Sequence, residues 1–144
     1  MFGALNISST ALTAQRLRMD VISQNIANVN TTRTSEGGAY RRRQVIFQEI
    51  PEQSFNRIFQ NTLRRPVLGA GVRVSDIAID MRPGERVYDP AHPDAGADGY
   101  LSMPNVNITE EMVNMISASR SYEANVTAIN SSKSMIAKTM EISR

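Results

Sequence analysis

Apolar residues recur at helical spacing near the start of the chain. Four of them lie seven residues apart, and two more follow the later ones by three residues. They are Leu5, Leu12, Met19, Ile26, Ile22 and Val29. This spacing predicts an N-terminal helix that has one apolar stripe.

The C-terminal part of the chain predicts a second, more regular helix. Its apolar residues alternate in steps of four and three, interrupted by the polar residues Ser119 and Lys133. The apolar members are Ile108, Met112, Met115, Tyr122, Val126, Ile129, Ile136 and Met140. Such a heptad seam is typical of a coiled coil. Asn107 is the predicted N-cap, and Glu110 is placed to complete a capping box.

The central part is irregular, because seven of the eight glycines and all six prolines lie between Gly37 and Pro104. The run Val45–Phe47 predicts one short strand, and the β-branched residues of 72–79 predict one or two more. Asp89–Gly99 is the expected extended loop. A small β-rich insert therefore separates the two helices.

These patterns predict a mainly α fold in which long N- and C-terminal helices pair as a coiled coil around a small β-rich central insert. The predicted divisions are 1–36 for the first helix and the Asn-rich segment after it, 37–103 for the insert, and 104–144 for the heptad helix. The two helices would form one core domain.

Such a helix pair is expected to be marginal in isolation. Burying one seam side chain contributes roughly 1.5–3 kcal/mol, but only a minority of the helical residues lie in a seam. Ordering the backbone costs about 1–2 kcal/mol for every helical residue, in the seam or outside it. We therefore expect both terminal helices to gain order when several copies pack together.

Composition excludes much catalytic chemistry. The chain has no cysteine and one histidine, which removes thiol nucleophiles, disulfides and sites that need two imidazoles. We expect no cofactor, no metal and no catalytic residue. Apolar runs also fall short of the roughly 18 residues that a membrane span needs.

Charge is unevenly divided within the centre. Residues 33–73 contain eight Arg and three Glu, whereas residues 74–103 contain two Arg and six acids. One hypothesis is that the basic segment of one subunit docks against the acidic segment of the next, which reversal of Arg64 and Arg65 would test. The run Arg41–Arg43 itself is interpreted as a solvated surface.

Two other classes of function fit these residues less well. An arginine-rich coiled coil that binds nucleic acid is opposed by the net charge of +2 and by few aromatic residues for stacking. A hydrolase would need paired carboxylates, but Glu110 and Glu111 are adjacent on a helix and diverge. Neither nucleic acid nor a small-molecule substrate is expected.

Residues 20–31, which read DVISQNIANVNT, resemble the N-terminal signature of the flagellar rod and hook protein family. Three further segments agree in order and spacing: Tyr40–Phe47, Asp98–Asn107 and Glu111–Asn125. The resemblance covers nearly the whole chain, and residues 51–75 carry the least of it. The short centre favours a protein of the proximal rod.

The resemblance implies a structural subunit, not an enzyme. It implies export by the flagellar type III apparatus and helical polymerisation into the torque-transmitting shaft that crosses the periplasm. The implied partners are copies of itself, other rod proteins, the export apparatus and the base of the basal body.

The expected assembly interface consists of both apolar stripes and three asparagines near the end of the first stripe. Asn25, Asn28 and Asn30 are interpreted either as an interface ladder that fixes register or as a polar helix end. The apolar members are Leu5, Leu12, Met19, Ile22, Ile26, Val29, Ile108, Met112, Met115, Tyr122, Val126, Ile129, Ile136 and Met140.

Overall fold

The computed structural model describes residues 2–50 and 70–142 of the chain. In chain order the elements are α1 (Phe2–Ala27), β1 (Arg43–Glu49), β2 (Val72–Ile79), β3 (Arg86–Tyr88), β4 (Tyr100–Ser102) and α2 (Ile108–Ile142). The prediction of long terminal helices around a small β-rich centre is confirmed. Among the described residues, no helix has the length and apolarity that crossing a membrane requires.

α1 ends before the Asn-rich segment is complete. Its last turn tightens, since the Val29 amide donates to the Ile26 carbonyl at 3.3 Å and the Thr31 amide donates to the Asn28 carbonyl at 3.0 Å. The Asn28 side chain also donates to the Gln24 carbonyl at 2.8 Å. Asn28, Val29 and Asn30 therefore form a turn after the helix.

α2 begins at its predicted cap. The Asn107 side-chain oxygen accepts hydrogen bonds from the amides of Thr109 at 2.9 Å and Glu110 at 3.3 Å. Glu110 does not complete a capping box among the described residues, because its carboxylate instead lies 3.2 Å from the Arg42 guanidinium. Glu110 and Glu111 still place negative charge at the positive end of the helix dipole.

α1 and α2 pack side by side in antiparallel directions. A hydrogen bond between Asn25 and Glu111 joins the end of α1 to the start of α2, and the two helices contact each other extensively. Small residues are among the buried positions of both helices, since Ala14 and Ala118 are buried and Ala118 is 0% exposed. Small side chains allow the two backbones to approach closely.

The buried face of α2 is only partly the predicted heptad seam. Glu111 and Ala118, seven residues apart, are its most buried positions. The seam residues Met115, Tyr122, Val126, Ile129 and Ile136 flank them and are half-buried. Ile108, Met112 and Met140 are instead exposed. α2 is thus rotated about its axis relative to the predicted seam, so that Glu111 faces α1. This contact does not establish a coiled coil.

β1 and β2 form an antiparallel pair that runs from Arg43 opposite Ile79 to Glu49 opposite Val72. The register shifts between Ile46 and Phe47, which leaves an extra residue in β2. Five residues of this sheet are half-buried, and they are Val45, Phe47, Val72, Val74 and Ala78. Both strands contact α1. The strands that the apolar runs predict are therefore confirmed.

β3 and β4 form a second antiparallel pair that the sequence analysis missed, because each strand has three residues. The predicted loop Asp89–Gly99 is the connection between them. The rings of Tyr88 and Tyr100 meet edge to face with centroids 5.2 Å apart. Gly99 adopts a φ of 73°, and a side chain there would meet the Tyr88 ring.

Gly84 lies where the chain entering β3 crosses the chain leaving β4. A Cβ at Gly84 would overlap the Met103 carbonyl oxygen and approach the Pro104 backbone. The Met103 amide donates to the Glu85 carbonyl at 2.8 Å beside this crossing. Since backbone atoms cannot yield as side chains do, this position requires glycine.

We predict that Gly84→Ala lowers the free energy of unfolding of the purified chain by about 1–3 kcal/mol, because the crossing would be overpacked. Urea unfolding followed by circular dichroism measures the change. Gly3→Ala is the matched control, since a Cβ there meets nothing within 4 Å and alanine favours a helix. Equal unfolding midpoints for the two variants would contradict the prediction.

Candidate functional site

A cluster of buried and half-buried polar side chains joins the two helices to the β-rich centre. We call it the polar junction, and it consists of Asn25, Tyr40, Arg42, Asn105 and Glu111. Asn25 and Glu111 are each 1% exposed, and Arg42 is 6% exposed. Burial of a carboxylate and a guanidinium at this depth requires that each be matched by partners.

Asn25 uses its full hydrogen-bonding capacity inside the chain. Its amide nitrogen donates to Glu111 Oε2 and to the Arg43 carbonyl, both at 2.8 Å. Its oxygen accepts from the Tyr40 hydroxyl and from the Arg43 amide, both at 3.0 Å. An amide side chain has two donor hydrogens and two acceptor lone pairs, so every one is satisfied here.

Arg42 matches the charge of Glu111. Its Nε donates to Glu111 Oε1 at 2.8 Å, and one terminal nitrogen lies 2.6 Å from the same oxygen. That nitrogen also lies 3.2 Å from Glu110, whose side chain is 59% exposed. The start of α2 is therefore held against the chain just before β1 by charge-assisted hydrogen bonds.

Asn105 extends the polar junction to the segment before α2. Its side-chain oxygen accepts from the Arg42 amide at 2.8 Å. Its nitrogen donates to the carbonyls of Asp80 at 3.2 Å and Arg82 at 3.0 Å. One asparagine thus ties the entry to β1, the exit from β2 and the approach to α2.

An ion pair borders the polar junction at the end of β2. The Arg82 guanidinium contacts both carboxylate oxygens of Asp80, with Nε at 3.0 Å from each. The hydrogen bonds from the Arg82 side chain and backbone lower the pKa of Asp80 to about 2. The same carboxylate raises the pKa of Arg82.

Burial raises the pKa of the Tyr40 hydroxyl, which donates to Asn25. The Arg43 guanidinium lies 5.8 Å from the centre of the Tyr40 ring and opposes that shift, whereas Glu111 adds to it. The hydroxyl therefore stays protonated and keeps its hydrogen bond over the physiological pH range.

The polar junction is suited to holding the fold together. Its donors and acceptors are occupied by one another, so they fix geometry instead of offering groups to a substrate. In the part of the chain that the structure describes, no three acidic or histidine side chains are grouped as a metal site would require. Three segments distant in sequence are held in one fixed relation.

The predicted interface residues fall into three environments. Ile22 and Asn25 are buried, and Asn25 has no polar group left for a neighbouring molecule. Ile108, Met112, Met140 and Asn30 are exposed. The half-buried residues are Leu5, Leu12, Met19, Ile26, Asn28, Val29, Met115, Tyr122, Val126, Ile129 and Ile136.

Sequence reasoning missed four of the five members of the polar junction. The interpretation of the run Arg41–Arg43 as solvated is wrong for Arg42, which is buried. The burial of Arg42 could have been predicted from the alternation of side chains in an extended segment, because Arg41 and Arg43 are both exposed while Arg42 between them is buried. Nothing local marked Tyr40, Asn105 or Glu111 as its partners.

Comparison with known proteins matches both ends of the chain. The family model described as "Flagella basal body rod protein" covers residues 5–33. The model described as "Flagellar basal body rod FlgEFG protein C-terminal" covers residues 97–142. The first range contains Asn25, and the second contains Asn105 and Glu111. The two matched regions therefore meet at the polar junction.

Whole-length relatives agree with this result. The flagellar basal-body rod protein FlgC of Borreliella burgdorferi is 51% identical over 147 residues, covering 99% of this chain and 97% of the relative. The FlgC proteins of Bacillus subtilis and Escherichia coli O6:H1 are 47% and 39% identical, each covering 99% of this chain and 98% and 97% of the respective relative.

The fold and these matches define a flagellar basal-body rod protein, a structural component and not an enzyme. The resemblance read from the sequence motifs is confirmed. Within that class, the chain belongs to the FlgC family.

We predict that Asn25→Asp destabilises the purified chain strongly. The new carboxylate would replace a donor 2.8 Å from Glu111, leaving two buried negative charges beside one arginine. Breaking a buried charge pair costs about 3–5 kcal/mol, and we expect a loss of this order in the free energy of unfolding at neutral pH. Urea denaturation measures it.

Gln24→Glu is the matched control for Asn25→Asp, because it makes the same amide-to-carboxylate change at an exposed neighbour. We expect its free energy of unfolding to stay close to that of the native chain. An Asn25→Asp variant as stable as Gln24→Glu would show that the polar junction does not hold the fold.

The Asp80–Arg82 ion pair predicts a specific acid sensitivity. The folded pKa of Asp80, about 2, lies below its ordinary value of 3.8. The stability that this shift contributes is therefore present above pH 3.8 and is lost as the pH falls toward 2. Asp80→Asn should remove this part of the acid dependence.

Carboxyl resonances followed by NMR during an acid titration would measure the Asp80 pKa directly. Comparing urea midpoints at pH 5 and about pH 3 for the native chain, Asp80→Asn and the exposed control Asp76→Asn would measure its effect on stability. An Asp80 midpoint near 3.8 would contradict the ion pair.

Proposed function

We propose that this chain is a structural subunit of the proximal rod of the flagellum. It is exported by the flagellar type III apparatus and polymerises helically with other rod proteins into a torque-transmitting shaft. The observation that carries the proposal is the polar junction, which locks two long helices and the β-rich centre together in a chain of the FlgC family.

A shaft that transmits torque must resist twisting, and the polar junction supplies stiffness within each subunit. α2 has 35 residues, which corresponds to a helix about 52 Å long. Arg42 and Asn25 fix the start of this helix relative to β1 and α1. A twisting force applied to the β-rich centre is thereby passed to both helices.

Exposed apolar residues on α2 support packing against other subunits. Ile108, Met112 and Ile116 succeed one another every four residues and are 43%, 55% and 57% exposed. Val113, beside them, is 63% exposed. A contiguous apolar surface of this kind is typical of an interaction site. Copies of this chain and other rod proteins are the partners that the proposal assigns to it.

We still predict that the helix ends far from the polar junction become ordered only when subunits pack together. Burial decreases there, since Lys133, Met135, Lys138 and Met140 are all exposed. Hydrogen exchange on dilute purified chain should therefore show faster amides near these residues than near Ala118. Uniform protection along α2 in the monomer would contradict it.

Met112→Glu tests the proposed assembly surface in cells that lack the native gene. Because Met112 is 55% exposed, the variant should fold and be exported normally. Burial of an unpaired carboxylate between subunits should abolish swarming in soft agar and the recovery of rods in basal-body preparations.

Ala124→Glu is the control, since Ala124 is exposed on the same helix and lies outside both the apolar patch and the end of α2 that is expected to gain order on assembly. Normal swarming of Met112→Glu cells would exclude this patch from the assembly. Intact rods imaged in cells from which the whole gene has been deleted would overturn the proposed function itself.

A further inference from the structure

A cleft of about 310 Å³ opens between the turn that precedes β1, the end of β2 and the base of the β3–β4 pair. Arg41, Arg82 and Arg86 line it, and no acidic side chain does so among the described residues. We call it the arginine cleft. Ser102 and Asn105 add polar groups to its wall.

Two of the three arginines lack an acidic partner in the described part of the chain. Arg82 is neutralised by Asp80. Arg41 contacts the Met81 sulfur at 2.8 Å, and the Arg86 guanidinium lies 5.4 Å from the centre of the Tyr100 ring. Both contacts position a guanidinium without cancelling its charge, so the cleft favours carboxylates.

Carboxylates are displayed at the other end of the same pair of strands. Asp89 and Asp98 are exposed in the connection 89–99, which we call the acidic turn. They lie near each other because the Asp89 amide donates to the Gly99 carbonyl at 3.1 Å. Asp94, in contrast, is held within the chain by Thr32 at 2.8 Å and Arg33 at 3.7 Å.

The two surfaces of one chain do not pair with each other: among the described residues, neither Asp89 nor Asp98 forms an ion pair with Arg41 or Arg86. Arg86 pairs with Ser102 at the base of the two strands, whereas Tyr88 pairs with Tyr100 next to the acidic turn. Complementary charge on separate surfaces therefore favours contact between two copies.

We propose that the acidic turn of one copy binds in the arginine cleft of a second copy, with Asp89 and Asp98 accepting hydrogen bonds from Arg41 and Arg86. This inference rests on the proposed function as a polymerising subunit. A contact between two different surfaces is head-to-tail, and when its rotation does not close it builds an open helix. Charge-assisted pairs of this type also orient the partners.

The proposed contact differs from the hypothesis that the two central segments dock through their opposite charge, which stays a prediction. Arg82 and Arg86 belong to the acid-rich segment 74–103, yet they line the basic surface together with Arg41. Arg64 and Arg65, whose reversal would test that hypothesis, lie outside the described residues. The complementarity proposed here is between folded surfaces, since the cleft combines arginines from both segments.

A charge exchange tests the contact in cells that lack the native gene. One variant carries Arg41→Glu and Arg86→Glu, a second carries Asp89→Arg and Asp98→Arg, and a third carries all four changes. We expect each double variant to lose swarming and the fourfold variant to regain it. Arg73→Glu, an exposed arginine away from the cleft, should swarm normally.

The outcomes separate the contact from the proposed function. If both double variants swarm normally while the deletion strain does not, the contact is wrong and the rod function stands. If the fourfold variant fails to regain swarming although its circular dichroism matches that of the native chain, the contact is also wrong. A deletion strain that assembles rods would refute the function on which both depend.

Cross-linking provides a second test that does not depend on the folding of the charge-reversed variants. The chain contains no native cysteine, so introduced cysteines are its only thiols. The variant Arg86→Cys with Asp98→Cys should form covalent dimers of this chain in isolated, oxidised basal bodies. Each single cysteine variant should form none, since a head-to-tail contact does not bring identical positions together. Absence of dimers from the double variant would overturn the proposal.

Discussion

The buried carboxylate of Glu111 is the constraint on which the rest of the structure depends. An ion of this kind loses its hydration on burial, at a cost of several kcal/mol unless partners replace the water. Arg42 supplies the opposite charge and Asn25 supplies a further donor. Because these partners come from three separate parts of the chain, satisfying one charge fixes the end of α1, the start of β1 and the start of α2 together.

This constraint explains the unexpected rotation of α2. Turning Glu111 inward brings Ala118 into the centre of the helix contact, and small residues there allow α1 to approach closely. The same rotation leaves Ile108 and Met112 facing outward. Apolar surface that a simple helix pair would have buried remains available for other subunits, as a chain built for assembly requires.

The regions that match the rod-protein family models, 5–33 and 97–142, are far apart in sequence and adjacent in space. Asn105 attaches the second of them to the exit from β2 and to the segment before β1. These hydrogen bonds attach the β-rich centre to the start of α2. Asn105 also lines the arginine cleft, so the cleft lies beside this attachment.

Local patterns were sufficient to predict the two helices, the Asn107 cap and the strands β1 and β2. Periodicity and capping depend on residues a few positions apart, so the sequence by itself determined those elements and, through its motifs, the family. It did not reveal the burial of Arg42, the inward face of α2 or the short β3–β4 pair. These features depend on tertiary contacts such as that between Asn25 and Glu111, which are 86 positions apart, and only folding brings such groups close enough to satisfy a buried charge.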